Sequence, residues 1–153
     1  MGDAFHQIYV QLVFAVKGRQ SLIKDSWEIE LYSYIGGILK EKGNKPLAIN
    51  GMPDHIHIFY SHNPNLGISE LVREIKKSSN IFINSKGFVL GKFEWQQGYG
   101  AFSYNKSAVS NVINYIDNQK IHHQKTSFQS EYKSLLEKFE IEYKEEYLFD
   151  WMD

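Results

Sequence analysis

The alternation of side chains between residues 4 and 16 places the strongest constraint on the fold. One side of this run carries larger and mainly apolar residues, namely His6, Ile8, Val10, Leu12, Phe14 and Val16. The other side carries Gln7, Tyr9, Gln11 and Ala15. A period of two predicts a β-strand, and the length of the run favours a central position in a sheet. Gly18 breaks the pattern and ends the predicted strand.

Two amphipathic helices are predicted in the first half of the chain. The first starts near Asp25 or Ser26 and ends at Gly43 and Asn44, with an apolar stripe of Ile29, Tyr32, Ile35, Ile38 and Leu39. Asp25 and Glu28 have the spacing of a capping box. The second predicted helix covers residues 69–84 and follows a loop that contains Pro64 and Gly67. Both patterns are typical of helices that cover one face of a sheet.

Further strand patterns lie between and after these helices. Residues 47–51 predict a short strand, and residues 52–60 predict a second strand that begins at Pro53 and forms a hairpin with the first. Residues 93–96 and 99–103 read as strand material on either side of Gly98. The order strand, helix, strand, strand, helix, strand predicts an α+β fold. Its unit is a ferredoxin-like βαββαβ antiparallel sheet with helices on one face.

Two more helices are predicted after this unit. A third helix covers residues 107–123, with a buried stripe of Val109, Val112, Ile113 and Ile116. A fourth helix begins at Thr126 or Ser127 and turns Phe128, Leu135, Leu136 and Phe139 inward. The acidic and aromatic end of the chain, from residue 140 onward, is assigned no element.

Composition narrows the class of protein. The 153 residues, 42% of them hydrophobic, suit a single domain over residues 1–153, and no run is apolar enough for a membrane span. Without cysteine there are no disulfides or thiolate metal sites, and with no basic-then-apolar leader at the start we expect a cytoplasmic protein. The net charge is −1, but residues 131–153 hold eight acidic and three basic side chains. The remainder is mildly basic, which is compatible with a limited DNA-binding patch.

His55 and His57 are the first candidate site residues. Because strand side chains alternate between faces, both imidazoles point the same way and can converge on one cation. Neutral imidazole suits divalent metals. Taken alone, the pair is better explained by two histidines that are satisfied within the core or in contact with solvent.

Tyr115 and Gln119 form a second candidate pair on the third predicted helix. Residues four apart share a helical face, and this face is offset from the apolar stripe. Gln119 can offer a carbonyl oxygen to a hard cation, and Tyr115 a phenol. An ordinary amphipathic helix explains the same spacing. His122 and His123 follow, either as phosphate ligands or as helix-end cations that the helix dipole favours.

A third candidate feature is the basic and hydroxyl-rich face of the second helix. Arg73, Lys76, Lys77 and Ser78 can contact phosphates of a nucleic-acid backbone. A solvated helix surface is the simpler explanation of these residues by themselves.

Together these blocks carry a family resemblance. In order they read GMPDHIH (51–57), LVREIKKSS (71–79), WQQGYGAFS (95–103), YIDNQ (115–119) and HH (122–123). The chain resembles the small HUH single-tyrosine transposases of bacterial insertion sequences, including the REP-associated tyrosine transposases, from about residue 5 to residue 150. The resemblance implies that Tyr115 is the nucleophile and that His55, His57 and Gln119 bind Mg²⁺ or Mn²⁺.

The resemblance also implies a reaction and partners. Tyr115 would attack a phosphate of single-stranded DNA and form a 5′-phosphotyrosine with a free 3′-hydroxyl, which a second 3′-hydroxyl can reverse. The DNA would carry hairpins near the element ends, contacted by Arg73, Lys76, Lys77, Ser78 and the His122–His123 pair. We also expect a homodimer whose active sites are composed in trans, with a hinge around residues 103–106.

Three other functions fit parts of the pattern. A domesticated HUH nicking endonuclease would use the same chemistry without a mobile element of its own. A non-catalytic ferredoxin-like nucleic-acid-binding module would use Trp95, Tyr99 and Phe102 as a stacking platform. A metal hydrolase would use the His pair and water, and would form no covalent adduct.

Overall fold

Four strands form one antiparallel sheet in the computed structural model, which describes residues 2–124, 126–144 and 148. The strands are β1 (Tyr9–Ala15), β2 (Lys45–Met52), β3 (His55–Ser61) and β4 (Gly100–Tyr104). Their order across the sheet is β2-β3-β1-β4, so the histidine-bearing β3 and the long β1 are both interior. The predicted central position of the first strand is confirmed.

Within the described residues, five α-helices accompany the sheet: α1 (Glu28–Glu41), α2 (Ile68–Lys86), α3 (Val109–Asp117), α4 (Gln119–His122) and α5 (Phe128–Lys138). The first six elements run β1, α1, β2, β3, α2, β4, which confirms the predicted ferredoxin-like βαββαβ unit. The remaining helices follow β4. Among the described residues, no helix combines the length and apolar character that crossing a membrane requires.

Helices α1 and α2 cover one face of the sheet. Phe14 and Ile56 are register partners on this face, and the Lys76 ammonium of α2 lies 5.2 Å from the centre of the Phe14 ring. On the same face Ile49 pairs with Ile58, and its side chain approaches Gly36 of α1. An apolar cluster holds this layer together, with buried members from β1, β3, α1 and α2 and with Ile49 of β2 packed against it.

The opposite face carries the two histidines and is covered by α3, α4 and α5. Val13 is the register partner of His57, and Ala15 is the partner of His55. Further along the same face, Phe59 packs in a smaller apolar cluster with Val112 and Ile116 of α3. Both faces of β1 are therefore buried, including the one that the alternation of side chains marks as less apolar.

Close packing at the β2–β3 hairpin sets the position of the histidine strand. A Cβ atom at Gly51 would lie only 2.2 Å from the His55 carbonyl oxygen, so only glycine allows this approach. The next residue toward the N-terminus, Asn50, donates from Nδ2 to the carbonyl oxygens of Ile116 and Asp117 at 3.0 and 3.2 Å. These bonds tie the end of α3 to the sheet of its own chain.

Several local predictions are wrong in detail. Helix α1 starts after Trp27 without a side-chain cap, so the predicted capping box at Asp25 does not form, and Ile29 is exposed. Residues 93–96 contribute one isolated bridge, between Trp95 and Val16, in place of a strand. Tertiary packing of the Trp95 ring against Phe14 fixes this segment without a continuous ladder.

The later helices also differ from the prediction at one point. The single helix predicted over residues 107–123 begins with a 3-10 turn and is broken at Asn118, with α3 on one side and α4 on the other. The cap of α5 is the expected Ser127, whose Oγ accepts from the Ser130 amide at 3.2 Å. Of the unassigned C-terminal segment, residues 145–147 and 149–153 lie outside the described residues.

Candidate active site on the histidine face

His55 and His57 are buried side by side on β3, as their spacing predicts. Their relative exposures are 1% and 0%, and their ring centres are 5.3 Å apart. The Nε2 atoms of both rings point away from the sheet toward one carboxylate, that of Glu131 on α5. The distances to Glu131 Oε1 are 3.4 Å from His55 and 3.0 Å from His57.

Glu131 is the centre of the site. Its Oε1 atom also accepts from His123 Nε2 at 2.9 Å, and its Oε2 atom accepts from Gln119 Nε2 at 2.8 Å. The Tyr115 hydroxyl donates a short hydrogen bond to the same Oε2. With an exposure of 3%, the carboxylate is withdrawn from solvent and is surrounded by donors from β3, α3, α4 and His123, which directly follows α4.

The charge of Glu131 is set by these neighbours. Burial by itself raises the pKa of a carboxyl group, but the nearby His57 and the hydrogen bonds from His123 and His55 outweigh it. The pKa of Glu131 is therefore well below its usual range, and the side chain is an anion. Burial, and then the Glu131 charge, raise the pKa of the Tyr115 phenol far above its usual range. The resting Tyr115 is consequently a protonated hydrogen-bond donor.

Each histidine of the pair is oriented by a second partner. His55 Nδ1 donates to Asp54 Oδ1 at 2.7 Å, and Asp54 is held by Arg19 Nη2 at 2.5 Å. Burial alone would lower the pKa of His55, but its bonds to Asp54 and Glu131 raise it. These partners fix the ring with Nε2 facing the site, which is the arrangement that metal-binding histidines commonly show.

The partner of His57 is an amide. Gln11 Nε2 donates to His57 Nδ1 at 2.9 Å, and Gln11 Oε1 accepts from the Tyr104 hydroxyl at 2.7 Å. His57 has no carboxylate at its Nδ1, and burial lowers its pKa in spite of the nearby Glu131 charge. The two imidazoles therefore differ in basicity although they lie two residues apart.

An aromatic ring of α5 covers the site on the side away from the sheet. Phe128 stacks on His55 with a centre-to-centre distance of 3.9 Å and an interplanar angle of 13°. The guanidinium carbon of Arg19 lies 5.0 Å from the centre of the same Phe128 ring. Helix α5 thus supplies both the central carboxylate and an apolar cover for the histidine strand.

The donor set fits a divalent metal ion. His55, His57, His123 and Glu131 each offer one ligand atom, and these atoms all lie within 4.8 Å of one another. Opposite ligands of an octahedral ion with bonds of about 2.1 Å lie about 4.2 Å apart, so a small inward movement would bring these four atoms within bonding distance of one ion. Gln119 Oε1 is 3.3 Å from His55 Nε2 and lies within reach of the same centre. Imidazole ligands favour Mn²⁺ over Mg²⁺, while the carboxylate suits both.

Comparison with known proteins identifies the chain. The family model described as "Transposase IS200 like" matches residues 4–119, three quarters of the sequence. Because the match covers most of the sequence, the chain belongs to the IS200-like transposase family. The matched region contains β1 to α3, the His pair, Tyr115 and Gln119, so the resemblance to single-tyrosine HUH transposases is confirmed.

Individual relatives agree with this assignment. The ISDra2 transposase TnpA of Deinococcus radiodurans is 23% identical over 119 residues, which cover 74% of this chain and 85% of the relative. A solved structure from D. radiodurans R1, provisionally assigned as a transposase, has a TM-score of 0.60 and 21% identity, and covers 78% of this chain and 96% of that one.

A second solved structure is a REP-associated tyrosine transposase bound to a REP hairpin. It has a TM-score of 0.58 and 19% identity, and the match covers 80% of this transposase and 74% of that protein. At these identities the two structural matches establish a shared fold.

The two histidines at the helix end lie inside the candidate site. His123 is half-buried with its ring turned to Glu131, and its Nδ1 lies 2.6 Å from the Thr126 carbonyl oxygen. His122 Nε2 lies 3.4 Å from Glu131 Oε2 and has no hydrogen-bond partner among the described residues. Their predicted contact with DNA stays a prediction, and the structure places them beside the nucleophile candidate.

The basic residues of α2 lie on the other side of the sheet. Arg73 and Lys77 are exposed there, and Ser78 Oγ donates to Glu74 at 2.9 Å. Lys76 donates to the carbonyl oxygens of Gln96 and Gly98 at 2.8 and 2.7 Å, and burial lowers its pKa to about 8. The structure therefore does not bring these four residues to the histidine site.

Sequence reasoning missed the central residue of the site. Glu131 is the first acid of the acidic C-terminal region, and nothing in its immediate sequence distinguishes it from the seven acids that follow. Gln11 and Asp54 were within recognised strands, but their roles depend on which histidine nitrogen they meet. The available signal for Glu131 was positional, because a helix capped at Ser127 turns residues 128, 131, 132 and 135 to one side.

Proposed function

We propose that this transposase cleaves and rejoins single-stranded DNA through a covalent 5′-phosphotyrosine on Tyr115. The observation that carries the proposal is the convergence of Tyr115, His57 and Gln119 on the Glu131 carboxylate. A phenol, two strand imidazoles and an amide at one buried point match the parts that the HUH resemblance implies. A ferredoxin-like fold and membership of the family support the same activity.

In this reaction the phenol oxygen of Tyr115 bonds to the phosphorus of a backbone phosphate. The bond from phosphorus to the 3′-oxygen breaks, the phenol gives up its proton, and the 3′-oxygen gains one. Glu131 already accepts the hydroxyl hydrogen bond and therefore orients the phenol. A 3′-hydroxyl that attacks the phosphotyrosine reverses the step without an external energy source.

A Mn²⁺ or Mg²⁺ ion held by His55, His57 and Gln119 would polarise the phosphoryl oxygens and offset the charge that develops on them. His123 and Glu131 are the further ligands that the structure offers. Asp54 keeps the His55 imidazole facing the site. Gln11 lies at Nδ1 of His57, and with Nε2 bound to a metal this nitrogen would carry the proton, which Gln11 would accept through its amide oxygen. We propose Mn²⁺ as the better of the two ions, because most of these ligands are imidazoles.

The proposed DNA partner is a single strand with hairpin ends. Its support is the REP hairpin bound to the structurally similar REP-associated transposase. Arg73 and Lys77 are exposed cations that can contact hairpin phosphates on the α2 side of the sheet. The strand to be cleaved would then pass around a sheet edge to reach Tyr115.

The composition of the site in a homodimer is a separate question. The sequence analysis expects each site to be completed in trans by the partner subunit. In the described chain, Tyr115 instead contacts Glu131 of its own chain, and α3 is held to its own sheet by Asn50 and by burial of Ile116. These contacts favour a site completed within one chain, and assembly in trans stays a prediction.

A covalent-adduct assay tests the central proposal. Purified protein is mixed with labelled single-stranded oligonucleotides and Mn²⁺, denatured, and resolved on a gel. We expect a denaturant-resistant band with the native chain and none with Tyr115→Phe, while binding of the same DNA persists. The matched control is Tyr34→Phe, which removes a phenol hydroxyl from a ring that stacks on Phe82 on the α1–α2 side of the sheet, and it should keep the band.

Two results would count against this assignment. An adduct that survives Tyr115→Phe would move the nucleophile to another residue, and cleavage without any adduct would indicate a hydrolase. Mixing His57→Ala with Tyr115→Phe subunits distinguishes the two site compositions, since recovery of the adduct requires sharing in trans.

The stacking platform of a non-catalytic binding module is not available in this fold. Trp95 and Phe102 are 6% and 2% exposed and pack in the core, and Trp95 Nε1 donates to Ser79 at 2.8 Å. Tyr99 is half-buried, with its hydroxyl 2.6 Å from Ser69 Oγ. DNA bases cannot stack on the two buried rings without unfolding of the sheet layer.

A further inference from the structure

A cavity of about 500 Å³ opens directly beside the candidate nucleophile, between α3 and α5. Tyr115 and Glu131 form its inner end, and the outer end is open to solvent between Asn111 of α3 and Lys138 of α5. Its volume lies in the usual range of small-molecule sites, which is roughly 300–1,000 Å³. Of the four metal-ligand candidates only Glu131 lines this cavity, so most of its lining has no role in the proposed chemistry.

The lining of the cavity is apolar with polar groups at the mouth. The Tyr104 and Tyr115 rings and the side chains of Val112 and Leu135 form the apolar part. The Tyr104 ring is fixed, because its hydroxyl donates to Gln11. Flat aromatic walls of this kind suit a planar ring, and base–aromatic stacking is a main source of affinity for single-stranded DNA.

The groups at the mouth suit the edge and the phosphate of a nucleotide. Asn111 and Ser134 are exposed side chains that can donate to and accept from the edge of a base. Lys138 lies there as a cation, with its ammonium 5.5 Å from the centre of the Tyr104 ring. An anionic, planar ligand therefore matches the cavity better than an aliphatic or a cationic one.

We propose that this cavity binds the base of a nucleotide that adjoins the phosphate attacked by Tyr115. The inference rests on the proposed function, since it takes Tyr115 at the inner end of the cavity as the attacking group. One wall comes from α5, which lies after residue 119, where the match to the family model ends. The base preference next to the cleaved bond is thus set in part by residues of this chain outside the matched region.

Mononucleotide binding tests the cavity without any need for cleavage. The probes are the four deoxynucleoside 5′-monophosphates, with deoxyribose 5-phosphate as the base-free control, and binding to the full chain is followed by NMR titration. We expect at least one mononucleotide to bind about tenfold more tightly than the base-free sugar phosphate, as stacking of one base implies. Ser134→Trp, which fills the cavity, should remove that difference.

Matched controls separate filling of the cavity from general damage. Ser130→Trp places the same ring on an exposed position of α5 that does not line the cavity, and should bind like the native chain. Asn111→Ala should weaken binding of the preferred base several-fold, whereas Asn114→Ala, exposed on the same helix, should not. Thermal melting of all four variants shows whether each is folded.

A second readout uses the covalent adduct. Randomised single-stranded DNA is offered to the native chain and to Ser134→Trp, and the strands attached to the protein are sequenced. We expect a base preference at a nucleotide next to the attachment point that Ser134→Trp reduces and Ser130→Trp retains.

The outcomes separate this inference from the proposed function. Base-dependent mononucleotide binding without any adduct would support the cavity and overturn the role of Tyr115. An adduct whose base preference is unchanged in Ser134→Trp would overturn the cavity and leave the nucleophile in place. Equal binding of mononucleotides and the base-free sugar phosphate would also overturn the cavity.

Discussion

The two faces of the sheet are equally buried but are built in opposite ways. His57 and Ile58 are neighbours on β3, and both have an exposure of 0%. Ile58 faces α1 and α2 within a continuous apolar cluster, whereas His57 faces α3 to α5 and bonds Gln11 and Glu131. A one-residue step along the strand therefore moves from a layer held by apolar packing to a layer held by a polar network.

This difference indicates that the two faces contribute in different ways, one mainly to stability and the other to the candidate site. Apolar burial contributes about 25 cal/mol per Å² and needs no particular partner, so the α1–α2 layer can carry much of the stability. A buried carboxylate is costly unless it is fully paired, and Glu131 is paired with donors from several elements. The histidine face is therefore organised around function, and the opposite face supports it.

The largest expected effects come from substituting His57 and Ile58, which are neighbours on β3 and face opposite sides of the sheet. His57→Ala should lower DNA cleavage by more than about 100-fold, because it removes a proposed metal ligand. Ile58→Ala should lower the free energy of unfolding by about 2–5 kcal/mol, because it opens a cavity in the core. Adduct formation and denaturant unfolding measure the two effects. A His57→Ala chain as active as the native one would remove the distinction between the faces.

Metal binding should stabilise the folded protein only through ligands on the histidine face of the sheet. Mn²⁺ at about 100 times its dissociation constant should raise the free energy of unfolding by about 2.7 kcal/mol, and a chelator should reverse the effect. Glu131→Gln should weaken Mn²⁺ binding about 10- to 100-fold, since an amide replaces the central carboxylate. Thermal melting across a Mn²⁺ titration gives both values. Glu74→Gln on α2 is the control, and an equal change in that variant would contradict a localised site.

The stability of the histidine face should also fall in acid because of Asp54. Burial would raise the pKa of this carboxyl, but His55 and Arg19 outweigh it and lower the pKa to about 2. The group is therefore more protonated in the unfolded chain between about pH 4 and pH 2, so stability falls as the pH falls through this window.

Denaturant unfolding as a function of pH measures this contribution. Asp54→Asn should cost about 2 kcal/mol near neutral pH, and the difference from the native chain should disappear as the pH approaches 2. A difference that is independent of pH would show that the Asp54 charge has no stabilising role.

The smallest effects should come from the exposed cations of the α2 face. Arg73→Ala and Lys77→Ala should each weaken hairpin-DNA binding several-fold. Each should also reduce the slope of the logarithm of the binding constant against the logarithm of the salt concentration by about one. Binding titrations at several salt concentrations measure both. Lys42 lines one surface pocket together with Arg73 and Lys77, and Lys42→Ala shows whether DNA contact extends to the end of α1. Loss of adduct formation in either variant with unchanged DNA affinity would contradict a role limited to binding.

Much of the fold was predictable because local patterns agreed with the final structure. The alternation of β1, the hairpin before His55 and the stripe of α2 each follow from periodicity and turn residues, and together they restrict the topology to βαββαβ. The errors lie where packing overrode local preference. The break at Asn118 and the single bridge of Trp95 depend on contacts with distant residues.

The sequence by itself determined that His55 and His57 share a face, because the period of a strand is two. It also determined the presence of a phenol and an amide four residues apart after the last strand. Only the tertiary structure decided that Glu131, 74 residues from His57, lies between them. The reason is physical: strand and helix periods act over a few residues, whereas the site forms where α5 folds back over the sheet.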